Sequence, residues 1–318
     1  MTDRMTTAAS QTASPAPSSP GAAVGAEAAD ATIAAIRADT VGFLGGGHMG
    51  RALIAALRRH GHPAAQILVG EPGADLRLAL ERDLGVRTTA DNIEVAAAAD
   101  ILVLAVKPQD MAAALSPLQA TLASRRPLIV SIAAGLPVAR LRELCGAGAG
   151  TALPVVRAMP NRPALLGRGA SGLYAPPDIP PEARARAEAV LAAAGMVAWI
   201  DSEMLMDAVT AVSGSGPAYF FRLAEALADA GRAQGLPAEV AARLAAATLA
   251  GAGAMAAADA DLAGLRAAVT SRGGTTAAAL TTLEAGGLER LVAEAVESAT
   301  RRGRELAQAV PDSTVKRG

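Results

Sequence analysis

From Val41 onward, short apolar runs alternate with stretches whose apolar residues recur at helical spacing. "TVGFLGGGHMGRALIAALRRHG" sets the pattern: Val41 to Leu44 predicts a strand, and Met49 to His60 carries Leu53, Ile54 and Leu57 at helical spacing. "QILVGEP" predicts a second strand ending at Glu71-Pro72, with a helix through "ADLRLALERDLG". "VRTTADN" reads as a short strand leading into a helix capped by Asp91 or Asn92. "DILVLAVKPQ", Asp100 to Gln109, is a fully apolar strand of the kind a parallel sheet buries on both faces, and "PLIVSIAAG" is another. "TALPVVRAMPN", "ASGLYA" and "MVAWI" complete the strand-rich half. The alternation predicts an α/β fold with a doubly wound parallel sheet, whose ligands sit at the carboxyl ends of the strands.

After about Asp201 the strands stop. Helices are expected through "SEMLMDAVTAVSG", "GPAYFFRLAEALADAGRAQG", "PAEVAARLAAATLAGAGAMAAA", "DLAGLRAAV", "TTAAALTTLEAGG" and "LERLVAEAVESATRRGRELAQ". One small domain cannot easily bury all of their apolar faces, so dimerisation through this region is the natural outlet. The expected organisation is an Ala/Ser/Pro-rich disordered leader over 1–39, a dinucleotide-binding domain over 40–200, an all-α domain over 201–310 and a disordered tail over 311–318.

Composition narrows the chemistry. The 318 residues are 52% hydrophobic but only 2% aromatic, so the core is aliphatic. A formal net charge of −1 favours neither nucleic acid nor an anionic membrane, and no apolar run stands out at the ~18 residues of a membrane helix. The single cysteine, Cys145, excludes an intrachain disulfide framework and reads as a small packed residue. His48 lies in the glycine loop, while His60 and His62 in "RRHGHP" are expected at the surface; lacking carboxylate or thiol partners at ligand spacing, they suggest no metal site.

Four features carry candidate chemistry. Gly45, Gly47 and Gly50 fit G-x-G-x-x-G between a strand and a helix: the first for the tight turn, the second for approach to a pyrophosphate, the third for helix–strand packing. The strand ends Glu71-Pro72, Lys107-Pro108, Ala133-Ala134-Gly135 and Pro160-Asn161 ring the same edge and together suggest a cofactor crevice. Lys107 reads either as a phosphate or ribose contact or as a solvated turn lysine. "VTSRGGTTAAAL" reads either as a turn between helices or as an anion site, where N–H groups freed by two glycines at a helix start cradle a carboxylate. Tyr219 reads as helix core.

"GFLGGGHMG", "AVKPQ", "SIAAG", "AMPNRPALL", "DAVTAVSGSGPAYFF", "ALADAG" and "VTSRGGTTAAAL" occur in the order and spacing of pyrroline-5-carboxylate reductases, which the chain resembles from Thr40 to Gln308. The resemblance implies a Rossmann-like domain followed by a helical dimerisation domain, with dimers assembling as far as decamers, in a cytoplasmic enzyme of proline biosynthesis without nucleic-acid or membrane partners. It implies reduction of the C=N bond of L-1-pyrroline-5-carboxylate by NADPH or NADH, giving L-proline. Implied cofactor contacts are Leu44, Gly45, Gly46, Gly47, His48 and Met49, with Glu71, Asn92, Ala105, Val106, Lys107, Pro108, Ala133, Ala134 and Gly135. Implied substrate contacts are Val269, Ser271, Gly273, Gly274, Thr275 and Thr276, with Thr276 the catalytic hydroxyl at the ring nitrogen, and Glu203, Ser213 and Ser215 in the neighbouring motif. With the implied substrate a carboxylate, the anion-site reading of the loop is preferred.

Two positions depart from the family pattern: Arg272 stands where proline is common, and "PNRPA" places Arg162 where "PNTPA" is usual. At the end of the second strand, Glu71 is expected to bond the ribose 2′-OH of NADH and to repel the 2′-phosphate of NADPH. A different NAD(P)-dependent imine reductase or hydroxyacid dehydrogenase is the alternative. Such enzymes often use a lysine in the helical domain, and here no lysine follows Asp201 before Lys316. A scaffold that keeps only the cofactor site would not require the "SGSGPAY" and "GGTT" loops.

Overall fold

The computed structural model describes residues 33–146 and 153–308. The expected tail and most of the expected leader lie outside those residues. The strands are β1 (Val41–Leu44), β2 (Ile67–Gly70), β3 (Arg87–Thr89), β4 (Ile101–Leu104), β5 (Leu128–Ser131), β6 (Val155–Met159), β7 (Gly169–Tyr174) and β8 (Gly195–Trp199). They form one sheet in the order β3-β2-β1-β4-β5-β6-β7-β8. The helices of this half are α1 (His48–Arg59), α2 (Ala74–Leu84), α3 (Asn92–Ala98), α4 (Met111–Leu115), α5 (Gln119–Arg125), α6 (Val138–Leu144) and α7 (Pro181–Ala192).

The unbroken apolar runs have a direct cause. Alternate residues of one strand enter two separate cores, because helices cover both faces of the sheet. Phe43, Ile67, Val69, Ile101, Val103 and Val130 join one core, while Leu44, Leu68, Leu102, Leu104 and Ile129 join the other. Of the two caps the sequence offered, Asp91 is the one in place: it accepts the Ile93 N–H at 2.8 Å at the start of α3.

Several expectations are corrected. The sheet is not parallel throughout: β7 runs antiparallel to β6, and β8 is parallel to β7. The connection over 160–168 is shorter than the dozen or so residues a parallel crossover needs. The fourth strand stops at Leu104, because the chain then bends across the glycine loop and enters a 3₁₀ turn at Pro108. The ordered chain begins before residue 40: Ile33 and Ile36 are fully buried, and Asp39 pairs with Arg186 at 2.9 Å. These two isoleucines supply the apolar anchors that the rest of the Ala/Ser/Pro-rich stretch lacks.

His62 is 0% exposed rather than solvated. Its N–H bonds the Leu57 carbonyl and its own carbonyl accepts from Arg58, so the chain folds back under the end of α1 with the ring inward. Among the described residues neither ring nitrogen has a hydrogen-bond partner, and burial pulls the imidazole pKa below its ordinary value.

The second half opens with a 3₁₀ turn (Glu203–Leu205), α8 (Met206–Val209) and a π turn (Thr210–Gly214). Then come α9 (Gly216–Ala233), α10 (Ala238–Ala258), α11 (Leu262–Ala268), α12 (Thr275–Ala285) and α13 (Leu288–Gln308). Its first segment and its last helix meet the sheet half. A Cβ on Gly172 would stand 2.5 Å from Val209, and one on Gly135 would stand 3.2 Å from the Ala307 backbone. The remaining helices bury little: α9 buries only Gly216, α10 only Ala241 and Ala245, and α11 and α12 nothing. Tyr219, expected in the helix core, is 38% exposed beside Phe220 at 59% and Phe221 at 60%. The sequence reading also missed that α10, with a mean hydropathy of 1.4 in its most apolar window, is long and apolar enough to cross a membrane. Alanine supplies most of that apolarity, with only Val240, Leu244, Leu249 and Met255 as larger apolar side chains.

Candidate active site

The glycine loop is shaped by contacts that only glycine permits. Gly45 leaves β1 at φ +101°, where a Cβ would lie 2.9 Å from the Ala105 carbonyl. A Cβ on Gly50 would come within 2.5 Å of the Gly45 carbonyl, so α1 rests directly on the turn. Gly47 caps α1 in an extended conformation with no side-chain cap and open space around its Cα. The N–H groups at the start of this helix therefore face the crevice, with no acidic residue in the first turn to compete for them. Exposed His48 and half-buried Met49 follow.

Glu71 differs from its expected orientation. The residue is 8% exposed and its carboxylate is turned into the loop: Oε2 accepts the Gly46 N–H at 2.9 Å and Oε1 the Gly73 N–H at 3.0 Å. Arg77, on α2, donates Nη1 to the carbonyls of Glu71 and Pro72 at 2.8 Å each and braces the same strand end. Glu71 thus organises the glycine loop. Any effect on the 2′ substituent of a cofactor is coupled to loop shape.

The Asn92 side chain lies over Gly70, where a Cβ would meet its Oδ1. Ala105 bonds back to Leu44, Ala105 and Val106 are half-buried, and exposed Lys107 caps the 3₁₀ turn opened by Pro108. After β5 come buried Ala133, exposed Ala134 and Gly135 at φ +75°. The residues expected to contact a cofactor therefore lie together at the carboxyl ends of β1, β2, β4 and β5, where the strand order reverses.

The expected substrate residues fall into two groups. Glu203, Ser213 and Ser215 lie in the segment against the sheet. Ser213 donates its hydroxyl to the Val209 carbonyl, while its own carbonyl accepts Asn161 Nδ2 at 2.9 Å. Buried Asn161 also accepts the Ala170 N–H, tying the π turn to the start of β7. The sequence placed Asn161 at the crevice edge without giving it a role; its position just past β6, after Pro160, was the available signal. Glu203 Oε1 accepts from Arg157 Nη1 and from the Val138 N–H.

The second group, Val269 to Thr276, spans the end of α11 and the start of α12. Gly273 adopts φ +72°, and a Cβ on Gly274 would strike Ser271 Oγ. Gly274 then caps α12 in extended form without a side-chain cap, leaving the N–H groups at Thr275 and Thr276 open for an anion. Val269, Ser271 and Thr275 are exposed, and Thr276 is half-buried. Arg272 and Arg162 are both exposed.

Among the described residues no group of three His, Cys, Asp or Glu is arranged to hold a metal. Cys145 is buried, and burial pushes its thiol up to about 12, so it is inert packing.

Residues 203–306 match the family model for pyrroline-5-carboxylate reductase dimerisation, and residues 40–135 match one described as NADP oxidoreductase, coenzyme F420-dependent. The pyrroline-5-carboxylate reductase of Pseudomonas aeruginosa is 46% identical over 269 residues, covering 84% of this chain and 97% of the relative. The chain belongs to the pyrroline-5-carboxylate reductase family. The Mycobacterium tuberculosis member is 40% identical over 291 residues, covering 84% and 96%. Among solved structures, the Coxiella burnetii reductase aligns at TM-score 0.80 and 36% identity, covering 84% of this chain and 98% of that one. The Plasmodium falciparum enzyme with NADP bound aligns at TM-score 0.70 and 29% identity, covering 85% and 98%. The two family matches divide between the glycine loop with its strand ends and the helices that carry the glycine-pair loop.

Proposed function

We propose that this chain reduces L-1-pyrroline-5-carboxylate to L-proline with NAD(P)H, the last step of proline biosynthesis. The observation that carries this reading is a pair of uncapped helix starts in a chain of this family: one at Gly47 beneath the strand ends, the other at Gly274 ahead of Thr276. The first suits a pyrophosphate and the second a small carboxylate. Bound nicotinamide supplies the hydride. The N–H groups after Gly46 hold the pyrophosphate, while Asn92, Lys107 and Ala133 to Gly135 line the crevice. N–H groups at Thr275 and Thr276 fix the substrate carboxylate. The Thr276 hydroxyl bonds the ring nitrogen, setting the face of the imine that receives hydride. A protonated cyclic imine accepts hydride at carbon and keeps its proton on nitrogen, so positioning and exclusion of water are the main tasks.

The apolar side chains of Phe220, Phe221, Leu291 and Val292 support pairing of two copies through the helical region, with further assembly to a decamer. In this reading α10 packs against helices of the partner rather than entering a membrane, and the enzyme is cytoplasmic. Both NADH and NADPH serve, with NADH nearer to NADPH in efficiency than is usual for the family. NAD(P)H oxidation with synthetic pyrroline-5-carboxylate, with pyrroline-2-carboxylate as control, tests the assignment. Activity confined to the second compound would favour the alternative, a different imine reductase.

A further inference from the structure

Glu203 is among the contacts the family resemblance implies, but Arg157 is not, and the two form an ion pair that connects the halves. Glu203 Oε1 lies 2.8 Å from Arg157 Nη1 and accepts the Val138 N–H at 2.7 Å, across 65 positions of sequence. Val138 is the first residue of α6, and the residue before it, Pro137, has no side chain able to cap that helix. A carboxylate from the helical half therefore provides the cap.

The stretch between β5 and α6 is Ile132 to Pro137, and it contains the cofactor segment Ala133-Ala134-Gly135. Its start is held by Ser131, whose Oγ accepts the Ala133 N–H at 3.4 Å. Ser131 is also the register partner of Arg157 on β6. Its end is held by Glu203, and Gly135 packs on Ala307 of α13. The Arg157 side chain is 9% exposed and that of Glu203 26%, so this ion pair is largely shielded from solvent. Losing one partner leaves the other charge shielded and unpaired.

The position of this stretch gives the contact a purpose. An adenosine ribose belongs at the end of β2 and a pyrophosphate at the loop after β1, so the opposite end of the dinucleotide extends across β4 and β5. Ala133 to Gly135 lie at that reactive end.

We propose that Arg157 and Glu203 act as a strut through which the helical half sets the position of the Ala133–Gly135 segment against the nicotinamide, making both positioning residues for hydride transfer. The inference rests on the function proposed above. A wild-type chain without pyrroline-5-carboxylate reduction would sink that function. An active wild type with indifferent strut variants would sink only the strut.

The test uses the full-length enzyme. Arg157→Met is expected to lower kcat by about tenfold or more while cofactor affinity, read by fluorescence titration of the resting enzyme, stays within about twofold. Amide hydrogen exchange across 133–144 should quicken, and the isotope effect with 4-deuterated cofactor should rise as hydride transfer becomes the slower step. Glu203→Gln keeps a carbonyl acceptor for the Val138 N–H and is expected to lose less than Glu203→Met. The strut is overturned by a folded Arg157→Met enzyme with kcat within about twofold of wild type. It is equally overturned if the loss appears wholly as weaker cofactor binding with an unchanged isotope effect. If Arg157→Met fails to fold, equal kcat for Glu203→Gln and Glu203→Met overturns it.

Discussion

The strand β4 and the helix α10 are both nearly all apolar, yet they treat their side chains in opposite ways. All four residues of β4 are buried, whereas α10, with 21 residues, buries two alanines. Helices on both faces of the sheet complete its two cores within one chain. The helical half leaves Phe220, Phe221, Leu223, Leu227, Leu291 and Val292 exposed. Exposed apolar surface on this scale marks an interface. The sheet half is complete in one copy, and the helical half is one side of a larger core.

The strongest way to break this contrast is to place a charge on the exposed face. Phe221→Asp is expected to cost the assembly about 2–4 kcal/mol, converting it towards monomer and removing most activity while the sheet half stays folded. Sedimentation mass with near-native circular dichroism checks it; an unchanged mass would remove this face from the interface. The complementary change falls in the completed half. Gly50→Val drives a side chain into the Gly45 carbonyl and should weaken cofactor binding by roughly 2–3 kcal/mol without altering the assembly. Fluorescence titration reads this, and affinity equal to wild type would disprove the steric account of the loop.

Thr276→Ala sharpens the division of labour between the halves. It is expected to lower kcat/KM for the imine by about 1–3 kcal/mol with little change in cofactor affinity. Steady-state kinetics with cofactor titration decide it, and an unchanged kcat/KM takes Thr276 out of the mechanism. Glu71→Ser should shift the kcat/KM ratio towards NADPH by on the order of 1 kcal/mol, because a partly screened negative charge leaves the strand end. Loss of the two bonds to the Gly46 and Gly73 N–H groups should also weaken both cofactors. A ratio that does not move would show that Glu71 acts on loop shape alone.

The smallest effect belongs to His62. Burial lowers its folded-state pKa, so below pH 6.5 the unfolded chain takes up the proton first. Its contribution to stability is present above that pH and is lost as pH falls, by up to about 0.7 kcal/mol between pH 7 and 6. Chemical denaturation at the two pH values should show this slope, reduced in His62→Phe. An equal slope in the variant would assign it to other groups.

Much of this protein was determined by local sequence. The sites of the strands and the glycine loop follow from apolar periodicity and backbone sterics, which act over a few residues, and the capped start of α3 from a choice of two neighbouring residues. The order of motifs likewise pointed to the strand ends that meet beside the glycine loop and to the glycine-pair loop. Only the tertiary structure decided where charged and polar side chains spend their bonds. Glu71 turned inward to the loop, Glu203 found a helix start 65 positions away, and His62 went under α1 rather than into water. The same holds for the antiparallel β7, set by a connection too short to cross the sheet, and for Ile33 and Ile36, which joined a core made by distant strands. A residue's apolar period is written beside it in the chain, but the partner of a carboxylate or an imidazole is chosen by what the fold brings within about 3 Å.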